Sequence, residues 1–559
     1  MKSQRNDSLQ TVTNEFEKHY AARAAASATG KLEERPGRGT IGNLLPLYCN
    51  RHSSYYASKA LEEELRMGAA GMLASQHASG CISLANCNID SPPDTAFAVH
   101  AIAVLYQLAD RFGPDTACLR EVKDALALFL KRAEPCLLTG GIHTPNHRWV
   151  MAGALAKMYE FTGGDERYRQ RAFQYIDEGL DLTADGEWTE RSNAFYNGEI
   201  AMHFYHAGTI FGHEPILEAI RHNLLMMRYM LHDDHTIVTD YSGRQDLGTV
   251  QRFRDTYYIA SHLMASYYKD DQLAALAAIT ELSSAKGWLA LAYWLLEEER
   301  MELHDPPALS DRYTVLLGEG VKTAVPTQIP YLGQRERFPH GASVLRHRNG
   351  KLSVTAMAGQ TNLLAIQYGA ARMIGLKLTA GWFGVAGIAF PTIRKTAVRS
   401  EYELDIELEG CYFAPLPRAH TEGLNGRYAD MPNHLRAKTH VQILPIMVRL
   451  TMLEDGVALR VVSEETPNIY LQLVCMFDKT GTVAGDGLEI DPATQVRMLK
   501  NGDALFSRGT DHIRLSAGSW EHPDIVSRND VVADALNVAI NWQTPANRLF
   551  TIQGFSAGE

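Results

Sequence analysis

No stretch of this 559-residue sequence approaches the ~18 consecutive apolar residues that a membrane-spanning helix requires. Met1 to Glu17 is polar and mixed in charge, and no apolar core of a secretion signal follows it. The expectation is a cytoplasmic protein, or one whose leader was removed, with no membrane partner. Cysteine is sparse: Cys49, Cys81, Cys87, Cys118, Cys136, Cys411 and Cys475 are odd in number, scattered and without a CxxC pair. That spacing argues against a disulfide framework or a cysteine zinc site, and for a reducing compartment. Positive charge is also short, with 54 Lys and Arg against 65 Asp and Glu and a formal net charge of -11. General attraction to nucleic acid is therefore not expected. An acidic ligand would need a local positive pocket. Gly318-Glu319-Gly320-Val321-Lys322 lacks the spacing of a phosphate-binding loop, and no GxSxG nucleophile elbow occurs.

What is present is a change of periodicity along the chain. From Glu15 to about His304 apolar residues recur at three and four, as in Phe97, Ile102, Leu105 and Leu108. Helices are expected at 53–78, 95–112, 116–134, 148–162, 166–182, 195–211, 214–231, 252–268, 271–282 and 285–302. Gly/Asp/Pro punctuation such as Phe112-Gly113-Pro114-Asp115 separates them. Similar lengths and short loops favour antiparallel neighbours. Ten to twelve such helices close naturally into a double-layered toroid; a superhelical array would show a fixed period, and none is visible.

Residues 305–340 carry Pro306, Pro307, Pro326, Pro330 and Pro339 and read as a linker. Beyond it the pattern is of strands, with hairpin signals at Asn349-Gly350, Asp455-Gly456 and Asn501-Gly502. Gly381 to Ala389 fits a buried strand or a loop equally. Many strands without intervening helices imply a sandwich of antiparallel sheets. The expected architecture is α+β multidomain: an (α/α) toroid over 1–304, a linker over 305–340 and a β-sandwich over 341–559.

Two stretches carry the chemistry: Thr144-Pro145-Asn146-His147-Arg148-Trp149, and Glu190-Arg191-Ser192-Asn193-Ala194-Phe195-Tyr196-Asn197. Each ends a polar loop and opens an apolar helix, so each sets polar side chains beside the positive end of a helix. Asn is also a common helix N-cap, a purely structural role.

An Asn146-His147 pair at a helix start, with Tyr196 fifty residues later and this domain order, resembles the heparinase II/III-like and alginate-lyase-like polysaccharide lyases. The resemblance implies cleavage of a uronic-acid-containing polysaccharide or oligosaccharide by β-elimination. Asn146 and His147 would neutralise the uronate carboxylate, Tyr196 would act as base and acid, and His340 would complete the set. Removing a proton beside a carboxylate requires neutral or positive donors to take the growing enolate charge. A Tyr, ordinarily ionising near ~10, needs positive neighbours to serve as base. Arg148, Trp149, Trp188, Arg191, Asn193, His203, Tyr241 and Arg244 are candidate substrate contacts. No cofactor is needed for elimination. Some members of the group hold a structural zinc in the β-domain; His340, His347, His434 and His440 are available, but no short spacing selects them. Homo-oligomerisation stays open. A glycoside hydrolase on the same toroid would need two carboxylates from Asp94, Glu187, Glu190, Asp240 or Asp246. A non-catalytic carbohydrate-binding protein is the third reading.

Overall fold

The computed structural model describes residues 2–28, 37–283, 287–321, 342–385, 387–524 and 534–558. It divides into a helical unit that runs to Ser310 and a strand unit from Asp311 onward, which also takes in His232–Asp234.

In the helical unit six helices form a closed inner ring: Arg38–Cys49, Pro92–Phe112, Pro145–Phe161, Tyr196–Phe211, Asp255–Tyr268 and Trp288–Met301. Each packs on the next, and the last packs back on the first. Outer helices, including Lys59–Ala74, Ala117–Arg132, Glu166–Ile176, Glu214–Met227 and Asp271–Ser283, lie against them. Sequence composition sorts the layers. Glu166–Ile176 buries Tyr168, Ala172, Tyr175 and Ile176, a single stripe, and keeps its charges outside. Pro145–Phe161 is buried nearly all round, from Trp149 through Met158. Its Gly153 meets the Tyr196 helix so closely that a Cβ would lie 2.3 Å from the His203 carbonyl oxygen. Small residues at that crossing set how near the two helices stand, and hence how near their N-termini stand.

Ser91 caps the Pro92 helix, its side chain accepting from the Asp94 amide at 3.2 Å, with prolines filling the first turn. Cys81 and Cys136, 55 residues apart, are joined as a disulfide. This corrects the expectation of an unbridged chain. A pairing set by tertiary contact leaves no mark in local spacing. Among the described residues no helix is long and apolar enough to cross a membrane.

The strand unit holds an eight-stranded and a nine-stranded sheet. Pairing is antiparallel, except that Arg497–Leu499 runs parallel to Ala535–Gln543. One apolar core lies between the sheets: Leu404, Val448, Leu459 and Phe550 from one meet Leu352, Leu376, Leu473 and Ile540 from the other. The Asn349-Gly350 turn joins paired strands, with Gly350 at φ 58°. Asn501-Gly502 does not close a hairpin; it carries the chain from Arg497–Leu499 in one sheet to Asp503–Arg508 in the other. The segment read as linker contains a strand, Arg312–Leu317, paired with Val344–Asn349. The described part of Gly381–Ala389 is a turn closed by a bridge between Trp382 and Val385, not a strand.

Candidate active site

The first turns of two adjacent inner helices and the loop Tyr241–Asp246 form one hydrogen-bonded cluster. At its centre is Glu190, 1% exposed. Glu190 Oε2 accepts from the Asn146 backbone amide at 2.7 Å, and Oε1 from Asn146 Nδ2 at 2.8 Å. Oε1 also accepts from Arg244 Nη1 at 2.6 Å. Arg244 then reaches across: its Nη2 donates to the Tyr196 phenol oxygen at 3.2 Å, and its guanidinium carbon lies 4.5 Å from the centre of that ring. Gln245 Nε2 donates to the same phenol oxygen at 3.0 Å.

The loops are built to hold this geometry. Arg191 has a positive φ of 51°, unusual for a bulky residue, and turns its carbonyl toward the second loop. That carbonyl accepts from the Gly243 amide at 2.9 Å and Ser242 Oγ at 2.8 Å. A Cβ on Gly243 would stand 2.7 Å from the Glu190 carbonyl, so glycine permits the approach. Buried Asp246 accepts from Ser192 Oγ, Ser242 Oγ and the Ala194 amide. One carboxylate thus pins the start of the Tyr196 helix to the loop that carries Arg244.

Burial pushes the Glu190 carboxyl up, while Arg244 and the two Asn146 donors pull it back. His147 is 8% exposed and its Nδ1 has no hydrogen-bond partner. Burial first, then the nearby His143 and Arg244, drive its pKa down to about 3. The imidazole is therefore neutral at ordinary pH. Arg244 acts electrostatically on His147 and bonds to Tyr196, which ties the two sequence stretches together.

Asn146 is fully buried; its Nδ2 serves Glu190 and Thr144, and only Oδ1 lacks a partner. It grips Glu190 rather than facing a ligand. Arg148 lies 3.5 Å from both Glu178 and Asp181, with its guanidinium over Trp149. Trp149 and Trp188, each 1% exposed, pack together in the core and present no face to a sugar. Arg191 is buried. Asn193 bonds the Val238 carbonyl and the hydroxyl of fully buried Tyr241. His203 is 2% exposed, with Nδ1 donating to the Glu199 carbonyl. Arg148, Trp149, Trp188, Arg191, Asn193 and Tyr241 are engaged within the protein and act as supports, whereas His203 also lines a cavity beside the Tyr196 helix. His340 lies outside the described residues. Sequence reading missed Gln245, and considered Glu190 only as one of five carboxylates open to the alternative hydrolase. Among the described residues no group of three or more His, Cys, Asp or Glu is arranged to hold a metal. His347, one of the histidines considered for zinc, bonds Thr314 and the Leu453 carbonyl.

Four buried histidines in this unit make its stability depend on pH. Burial holds His203 at about 4 and His147 at about 3, and places His100 and His206 well below the usual value. In the unfolded chain they take protons near ~6.5. Their contribution is complete above that pH and is lost as pH falls toward 4 and below, by about 1.4 kcal/mol per pH unit for each. Glu199, raised to about 8, works the opposite way: it favours the fold at low pH and its contribution fades as pH rises through 8. Burial raises the Glu190 and Asp255 carboxyls in the same sense as Glu199, so four imidazoles are set against three carboxyls, and urea midpoints are expected to drop between pH 7 and pH 5. An unchanged midpoint would show that these imidazoles are not held neutral.

The fold is that of the polysaccharide lyases built from a helical toroid followed by a β-sandwich. Heparinase III, the BT4657 gene product, aligns with a TM-score of 0.53 at 10% identity, covering 92% of this chain and 77% of its own. Heparan sulfate lyase HepC from Pedobacter heparinus aligns at 0.46 and 10% identity over 92% and 77%. Chondroitin AC lyase from Streptomyces coelicolor A3 aligns at 0.42 and 12% identity over 98% and 79%. No family model matches the chain, and no curated protein matches it by sequence.

Proposed function

We propose that this protein is a polysaccharide lyase that cleaves an acidic, uronate-containing glycan by β-elimination, with Tyr196 as the group that moves the proton. The observation that carries the reading is the phenol oxygen of Tyr196, which accepts from both Arg244 and Gln245 and leaves its own proton uncommitted. In the reaction Tyr196 first gives its own proton to solvent and, as the phenolate, takes the C5 proton; the C5–H electron pair becomes the C4–C5 double bond, the C4–O bond breaks, and the captured proton passes to the leaving oxygen. No water is consumed. Arg244 and Gln245, which donate to the phenol oxygen, stabilise the phenolate that acts as the base. Arg244 and the His147 imidazole stand at the carboxylate, whose enolate charge grows as C5 is deprotonated. The charge on Arg244 meets the need for local positive potential in a chain of net charge -11.

The hydrolase reading loses its best carboxylates. Glu190 and Asp246 are committed within the protein, and Asp94 accepts from Asn88 and Ser91. The deciding experiment is an ultraviolet assay over glucuronate-, iduronate-, mannuronate- and galacturonate-containing glycans. A lyase generates an unsaturated uronate that absorbs. New reducing ends without absorbance would establish hydrolysis instead, and no product from any of these glycans would leave a binding protein.

A further inference from the structure

The face of the helix that opens with Tyr196 continues with Glu199 and His203, three and seven residues on, which a helix stacks on one side. Both line a cavity of about 310 Å³ walled also by the starts of the inner helices Arg38–Cys49, Asp255–Tyr268 and Trp288–Met301. That volume falls within the ~300–1,000 Å³ of small-molecule sites. Two half-buried aromatic side chains, Phe97 and Trp288, form part of the wall. The indole is seated against Gly42, where a Cβ would lie 2.6 Å from the ring.

Asp255 accepts from the backbone amides of Thr256 and of Asp255 itself at its helix start, but neither it nor Glu199 is neutralised by a cation. Among the described residues, neither Glu199 nor Asp255 lies within ion-pairing distance of a Lys or Arg. The nearest ring nitrogen to Glu199, His203 Nδ1 at 3.8 Å, already donates to a carbonyl. Arg254, the closest cation in electrostatic effect, is stacked on Phe195 at 3.9 Å. Thr256, 4% exposed, lines the cavity, and its Oγ1 has no partner. Burial raises both carboxyls, and Asp255 raises Glu199 further, to about 8. Protonated below that pH, the Glu199 carboxyl donates and accepts, as sugar hydroxyls do, and the Asp255 carboxyl accepts. Aromatic faces take the apolar side of a pyranose. A ligand anion would gain no ion pair from either carboxyl. Arg38 also lines the space, but its charge acts chiefly on Asp94.

We propose that this cavity binds an uncharged pyranose unit, held by Glu199, Asp255 and Thr256 against Phe97 and Trp288. Its further consequence rests on the elimination reading: the glycan cut at Tyr196 carries such a neutral unit beside its uronate.

The binding claim is tested without turnover, by calorimetry on the full chain with methyl β-glucoside and with glucuronate. The neutral sugar is expected to bind wild type and Arg244→Ala alike, and to lose at least tenfold in affinity in the Glu199→Gln/Asp255→Asn pair. Glucuronate is expected to depend on Arg244 and not on the pair. Should the double variant melt below the working temperature, Glu199→Gln alone reports the same loss. Absence of methyl β-glucoside binding, or binding indifferent to Glu199→Gln, overturns the proposal. Because nothing here is cleaved, failure of the lyase assay leaves this result readable on its own.

Discussion

Replacing Tyr196 by Phe is expected to lower kcat by about 10²–10⁴-fold, the range that one acid–base group supplies, while KM stays within about threefold. The substitution removes a single oxygen from a half-buried ring. Its two donors, on Arg244 and Gln245, remain held by their own loop. Arg244 keeps its bond to Glu190, so the cation stays in place and substrate should still be held. The stability cost should not exceed about 1 kcal/mol, because the donors left behind face solvent at a partly exposed site. The measurement is steady-state formation of ultraviolet-absorbing product, with a thermal melt of the same preparation. Residual turnover within tenfold of wild type would remove Tyr196 from the chemistry. Loss of turnover with a large rise in KM would instead make it a binding residue.

Much of the architecture was legible because burial imposes periodicity. The stripe in Glu166–Ile176 and the alternation in Gly456–Ser463 each have one correct side. The inner-ring helix Arg38–Cys49 was not legible. It carries Pro46 inside and glycines at 39 and 42, which read as breakers, yet Gly42 is needed beside Trp288. Strand Ala371–Ala380 was missed because its alternation changes phase after Gly375, next to a register shift in its pairing with Tyr470–Asp478. At the candidate site, the positions of Asn146, His147 and Tyr196 at helix starts could be read from caps and apolar runs. Their partners could not. Arg244 was one of several arginines with equal claims, and only the Arg191 turn and the Gly243 contact place it on the phenol. Trp149 and Arg148 looked like sugar contacts from composition, but a residue type does not say which side of a helix faces the core. The disulfide and the sheet-crossing Asn501-Gly502 turn are also tertiary facts, invisible to local pattern.

The same limits point to Glu190 as the residue whose loss should be felt most widely. It is a positioning residue: nothing exposes it to a ligand, and it acts through Asn146 and Arg244. Glu190→Ala removes the acceptor of three donors at once: the Asn146 amide, Asn146 Nδ2 and Arg244 Nη1. Asn146 is sealed from water, so its backbone amide is left unsatisfied, its Nδ2 keeps only Thr144, and the arginine loses its counter-charge. Breaking one side of such a buried pair costs about 3–5 kcal/mol, to be read as a lower urea midpoint at unchanged slope. Catalysis should fall with it even where the protein remains folded. Arg244 would be free to leave the phenol, lowering kcat more than KM. Glu190→Gln separates the two effects. It keeps volume and one carbonyl acceptor but sets an NH₂ group against a donor, so most of the fold should be retained while the Arg244–Tyr196 geometry loosens. Stability near wild type with kcat reduced at least tenfold is the outcome expected of Glu190→Gln. If both variants fold and turn over like wild type, the hydrogen-bond set centred on Glu190 does not organise the site, and the assignment of Arg244 to the phenol fails with it.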